Sequence, residues 1–201
     1  MEGISSSVRP ESDVSQINRG ALRAAEAGQR VRQAINLCRL YEQATRGYFS
    51  AWIEGTFDPS GLVKGWAIDR ATSILARKGG RNFFVDAGGD VQVRGLREDG
   101  SPWRVGIRHP TSRGKVARVI LAQDLAVATS GTYEKGNHIY DPHTHKDATD
   151  LISFTVIGPD ILQADMYATA GFAMGEDGLG FIDGVRGYEA YAISRNLTAS
   201  L

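Results

Sequence analysis

The feature that most constrains this chain is a change in hydrophobic period part-way along it. In two stretches, 21–45 and from about Ser60 to Lys78, apolar residues recur at helical spacing, whereas from Asn82 to Ala128 they fall in short runs punctuated by glycine. Val31, Ala34, Ile35, Cys38 and Tyr41 mark the face of a helix over 21–45, with Gly47 just past its end. Asp58-Pro59-Ser60-Gly61 is a turn signal, and Ser60 is a candidate cap for a second helix. Trp66, Ala67, Ala71, Ile74 and Leu75 would form that helix's inner face, and Gly79-Gly80 would stop it. Strands are expected at Trp52-Ile53, 82–86, 90–95, 103–107, 116–121, 125–128, 151–157 and 188–194. The 103–107 strand is expected to pair back on 90–95 through the Glu98-Asp99-Gly100 turn. Helices are expected at 164–174 and 178–185, and a long polar loop over 129–148. The sum is a mixed α+β fold, mainly antiparallel sheets with packed helices. It is read as one domain over 21–201 behind a polar segment, 1–20, poorly ordered at its start.

Composition narrows the function classes. Lysine plus arginine number 23, as do aspartate plus glutamate, and this zero net charge argues against a general nucleic-acid or acidic-membrane binder. Phosphate recognition would have to be local. The single cysteine, Cys38, excludes an internal disulfide and a cysteine-based zinc site, and its helical position marks it as a small buried residue. No apolar run reaches the ~20 residues of a membrane span. The serine-rich start lacks the apolar stretch of a secretory signal, so the chain as written reads as cytoplasmic.

Four segments carry polar or glycine residues where the pattern alone does not require them. In Asp58–Asp69 a helix start would attract an anion, with Lys64 one turn in; a capped surface helix with a solvated lysine fits the same residues. Asp86-Ala-Gly-Gly-Asp90 permits close approach by a ligand or is simply a tight connection. Thr129-Ser130-Gly131 offers hydroxyls and N–H groups, and His138 is a candidate base. His143, His145, Asp147 and Asp150 read either as a metal cluster or as solvated loop residues. Asp165 and Thr169, four apart, share a helical face and offer hard oxygens to a cation such as Mg²⁺, or are a helix-start aspartate and a back-bonded threonine. Together they point to a nucleotide diphosphate handled with a hard cation.

Six blocks in order resemble the ApbE-like FAD:protein FMN transferases. They are Thr45-Arg-Gly-Tyr-Phe49, Asp58-Pro-Ser-Gly-Leu-Val-Lys-Gly-Trp66, Asp86-Ala-Gly-Gly-Asp90, Ala126-Val-Ala-Thr-Ser-Gly131, His138-Ile-Tyr-Asp-Pro142 and Ala164-Asp-Met-Tyr-Ala-Thr-Ala170. Ser12, Ser15 and Asn18 match a further Ser-x-x-Ser-x-x-Asn segment. The resemblance implies Mg²⁺ held by the Gly61 carbonyl, Asp165 and Thr169. It implies FAD contacts at Tyr48, Phe49, Ser50, Asp58, Lys64, Thr129, Ser130, Gly131 and Ile139, with His138 as base and Lys64 beside the phosphates. The implied reaction is protein flavinylation: FMN passes from FAD to a Thr/Ser hydroxyl of an acceptor flavoprotein and AMP is released. Hydrolysis of FAD to FMN and AMP, or FAD binding without catalysis, would use the same residues, and a homodimer is left open. Four departures are visible. The resemblance implies a first strand with Met-Gly-Thr and a helix upstream of Ser12, and the sequence as written shows neither. Val8 stands where the family has a tyrosine, Ser50 replaces an aspartate, and His145 occupies a turn position that is usually glycine.

Overall fold

The computed structural model describes residues 9–112, 114–132, 139–196 and 198–200. Its centre is helix α4 (Ile161–Met174), whose residues are buried on nearly every side. Such a helix must be built from small and apolar residues, because it has no solvent face to carry polar ones. Ile161, Ala164, Ala168 and Phe172 pack on a sheet, while Leu162, Met166 and Ala170 pack on the helical layer.

That helical layer contains α1 (Asp13–Asn18), α2 (Gln29–Ala44) and α3 (Ser60–Arg77). Segment 1–20 therefore carries a helix from Asp13, with Val14 fully buried; its first eight residues lie outside the described set. Asn18 ties α1 to the domain, its amide donating to the Phe57 carbonyl at 2.9 Å and its side-chain carbonyl accepting the Phe57 N–H at 2.8 Å. The expected 21–45 helix is divided into a short 3₁₀ turn (Ala24–Glu26) and α2, and all five marked residues of α2 are buried. On α3, Trp66 is buried as expected, but Ile74 and Leu75 are 43% and 42% exposed. The buried stripe runs instead through Leu62, Gly65, Trp66, Ile68 and Thr72. Ser60 is not the cap: its N–H donates to Asp58 Oδ1 at 2.9 Å, so Asp58 closes the turn that launches the helix.

The main sheet has six strands in the order β12-β11-β10-β7-β4-β3, every neighbour antiparallel. These are β3 (Phe83–Ala87), β4 (Asp90–Arg94), β7 (Ala126–Gly131), β10 (Leu151–Gly158), β11 (Glu189–Ser194) and β12 (Ala199–Ser200). The expected pairing of 103–107 with 90–95 does not occur. β4 pairs with β3 and β7, while β5 (Trp103–Arg108) pairs with β6 (Val116–Ala122). The reason is burial: Val91 and Val93 of β4 are core residues whose strand has both edges taken in the main sheet. The β5–β6 hairpin then lies over the sheet face opposite α4, where Ile107, Val105 and Ile120 cover Val127, Tyr191 and Ile193. Strand β1 (Trp52–Ile53) pairs with β2 (Thr56–Phe57), and α5 (Asp177–Asp183) follows α4.

The stretch 129–148 is not one irregular loop. Thr129-Ser130-Gly131 completes β7, and β8 (Tyr140–Asp141) pairs with β9 (Lys146–Asp147). His145 turns that small hairpin at φ 57°, so the histidine adopts the left-handed backbone that a glycine would take without strain.

Candidate functional site

A cleft of about 310 Å³ opens where the N-terminal end of α3, the β3–β4 turn, the C-terminal end of β7 and α4 converge. Each wall has a local cause. Gly88 and Gly89, at φ 66° and 93°, turn the chain tightly between β3 and β4. The turn sets Asp90 at the first position of β4, pointing inward and 1% exposed. Its Oδ1 accepts the Thr129 N–H of β7 at 2.9 Å. Its Oδ2 forms an ion pair with Lys64 Nζ of α3.

Asp165 is the second buried acid, 3% exposed, and its Oδ1 lies 3.7 Å from the same ammonium. Its Oδ2 accepts the Gly65 N–H at 2.8 Å, so consecutive residues of α3 address both acids. Burial pushes the Asp165 carboxyl up to about 7, and the neighbouring Asp90 charge adds to the rise; Lys64 and the Gly65 N–H oppose it. Two carboxylates around one ammonium leave the cluster with excess negative charge when both are ionised. A divalent cation suits such a place.

Along α4, Thr169 donates its hydroxyl proton to the Asp165 carbonyl, 3.1 Å away. With that proton committed, its oxygen takes the Ser130 hydroxyl at 3.2 Å and keeps a lone pair for a further partner. Thr129 Oγ1 bonds Thr155 Oγ1 at 2.9 Å, anchoring the β7 end to β10.

The opposite wall comes from the turn after α2. Thr45 is fully buried and receives the Phe49 N–H at 3.0 Å, holding Tyr48-Phe49-Ser50 along the rim. Ser50 donates to Glu42 Oε1 at 2.8 Å. The β8–β9 hairpin closes this side, with His143 Nε2 3.0 Å from the Arg46 carbonyl and its ring 4.3 Å from that of Tyr48.

The structure thus brings Tyr48, Phe49, Ser50, Asp58, Gly61, Lys64, Thr129, Ser130, Gly131, Ile139, Asp165 and Thr169 to one cleft. His138 and Val8 lie outside the described residues. Among the described residues no group of three or more His, Cys, Asp or Glu side chains is placed to hold a metal, so His143, His145, Asp147 and Asp150 do not assemble into the cluster considered above. Sequence reasoning gave no role to Asp90, although an acid directly after paired glycines at a strand start was a visible signal. Arg108 also lines the cleft, near Gly89, and nothing in the pattern placed it there: its strand was expected beside β4, not folded over the sheet.

An antiparallel sheet, a buried central helix and an acid-and-ammonium cleft define a fold with known counterparts. The ApbE family's model matches residues 54–192. The flavin transferase ApbE from Vibrio cholerae shares the fold with a TM-score of 0.82 at 22% identity, over 99% of this chain and 82% of that one. The ApbE protein from Thermotoga maritima gives a TM-score of 0.86 at 25% identity, over 98% and 84%. Among curated proteins, the FAD:protein FMN transferase of Vibrio cholerae is 35% identical over 130 residues, 60% of this chain and 39% of that protein. That of Rhodobacter capsulatus is 37% identical over 129 residues, 60% and 24% respectively. The chain belongs to the ApbE family. It spans less than half the length of these curated relatives.

Proposed function

We propose that the chain transfers FMN from FAD to a threonine or serine hydroxyl of an acceptor flavoprotein, with Mg²⁺ in the cleft and AMP as the second product. The observation that carries this reading is the convergence of a helix start, an ammonium, two buried carboxylates and a hydroxyl-bearing strand end on one space. A dinucleotide pyrophosphate needs anion-binding N–H groups, a cation and a hard-metal site side by side. The curated relatives cited above carry the name FAD:protein FMN transferase.

The residues fit magnesium. Gly61, Asp165 and Thr169 line the same cleft and offer a carbonyl, a carboxylate and a hydroxyl, all hard oxygens, and with both acids ionised the excess negative charge favours a divalent ion. When bound, Mg²⁺ would neutralise charge on the pyrophosphate and on departing AMP. Lys64 offsets phosphate charge from α3. Tyr48, Phe49, Ser50, Asp58, Ile139 and the Thr129–Gly131 strand end bind and orient FAD. His138 accepts the proton of the acceptor hydroxyl as its oxygen bonds the FMN phosphorus and the bond from that phosphorus to the AMP oxygen breaks.

The test is incubation of the chain with FAD, Mg²⁺ and an acceptor flavoprotein, followed by in-gel flavin fluorescence. A fluorescent acceptor band that depends on Mg²⁺ is expected. FAD cleavage to FMN and AMP with no labelled acceptor would replace transfer by hydrolysis, and FAD binding without turnover would reject both.

A further inference from the structure

We propose that Asp90 is a positioning residue of this site: its two carboxylate oxygens hold the Lys64 ammonium and the Thr129 N–H, fixing the two walls that meet the phosphates. The inference rests on the flavin-transfer reading and goes beyond it, to a residue outside the implied ligand set.

The geometry requires a role of this kind. Asp90 is 1% exposed, and a buried carboxylate persists only when each oxygen is paired. Both of its partners belong to cleft walls on other elements, Lys64 on α3 and Thr129 on β7. The Lys64 side chain is 41% exposed on a flexible stem, so without an anchor its ammonium would sample many rotamers. Held at Asp90, it stays 3.7 Å from Asp165 and faces the cleft, so its ordering cost is met before substrate arrives. The Gly88-Gly89 turn, whose residues also line the cleft, delivers the acid to that spot.

A double-mutant cycle in the full chain tests this. Asp90→Asn keeps the shape and an acceptor for the Thr129 N–H but cannot hold an ammonium. Asp90→Asn should lower kcat for flavin transfer on the order of tenfold, the worth of one close, buried charge contact to the ammonium. KM for FAD should move less, and Asp90→Glu should recover part of the loss. Because Asp90 acts through Lys64, the Asp90→Asn/Lys64→Met double variant should transfer no more slowly than Lys64→Met alone. Losses that simply multiply would overturn the proposal. Thermal melts supply a readout independent of turnover: Lys64→Met strands a buried charge, so adding Asp90→Asn should raise its melting temperature. A double variant melting below Lys64→Met would also reject the pairing. If the unaltered chain neither binds FAD nor transfers FMN, the functional reading fails, while the melting cycle still judges the Asp90–Lys64 pair.

Discussion

Replacing Gly65 with alanine puts a methyl carbon where Asp165 already stands. A Cβ built at Gly65 lies 2.8 Å from Asp165 Oδ2, 2.9 Å from its Cβ and 3.3 Å from its Cγ. The clash with Cβ decides the outcome, since no rotamer change moves the root of a side chain; α3 and α4 must separate. Overpacking of this kind costs about 1–3 kcal/mol. Misaligning the charge-assisted Gly65 N–H bond to Asp165 adds about 1.5–3 kcal/mol if the bond is lost. Against this, alanine in a helix interior gains up to about 1 kcal/mol over glycine. The net expectation is a loss of about 0–3 kcal/mol if the Gly65 N–H bond survives and about 1.5–6 kcal/mol if it is lost, read by urea denaturation against the unaltered protein. Gly180→Ala on α5 is the internal control, because its added Cβ meets nothing within 4 Å. It should be neutral or stabilising by up to about 1 kcal/mol. On the proposed function, flavin transfer should fall with Gly65→Ala and not with Gly180→Ala. Equal stability and equal activity of the two variants would refute the close packing of α3 on the Asp165 side chain.

Other expectations concern charge and anchoring. Asp165 has its carboxyl raised from 3.8 to about 7, so the folded chain keeps a proton that the unfolded chain has released between those values. Its contribution to stability is therefore full below about pH 4 and is lost as pH rises toward about 7, with a slope of at most ~1.4 kcal/mol per pH unit. Without divalent ions, unfolding free energies of the protein minus those of Asp165→Asn should decline over that interval; a flat or rising difference contradicts the assignment. Cys38 is buried, and desolvation pushes its thiol up to about 12, so a thiol reagent at pH 8 should label it only after denaturation. Labelling of the native protein at the unfolded rate would show the α2 core to be open. Asn18→Ala removes both bonds to Phe57 and should cost about 1–3 kcal/mol in a denaturant melt, whereas an unchanged melt would mean α1 is not docked through Asn18.

The parts of the fold legible in the sequence were those set by local rules. The buried face of α2, the glycine stop after α3 and the strand-length runs are decided within a few residues of where they are read. Pairing is not local. The Glu98-Asp99-Gly100 turn invited a hairpin with β4, yet β4 has both edges taken by β3 and β7, which lies more than thirty residues further along the chain. The face of α3 was misassigned for a related reason. Gly65 and Thr72 carry little hydrophobic signal, but they lie in the buried stripe, where Gly65 meets Asp165 of α4, while Ile74 and Leu75 are left partly exposed. The pairing of Asp90 with Lys64 emerges only when β4 and α3 are brought together, because no spacing links residues 64 and 90.

Helix α4 explains why so much of the candidate site could still be read from the chain. A helix packed between a sheet and other helices has no solvent face, so an aspartate within it cannot be surface decoration. It must have a paired charge, hydrogen-bond donors or a ligand. In Ala164-Asp-Met-Tyr-Ala-Thr-Ala170 the small and apolar neighbours already announce burial, and the four-residue spacing places Asp165 and Thr169 on one side. The structure supplies the missing half: at that side the helix meets Lys64, Gly65 and Ser130. A polar pair inside an otherwise apolar helix is thus a stronger marker of a working cleft than the exposed histidines of the β8–β9 hairpin, whose polarity solvent alone can satisfy.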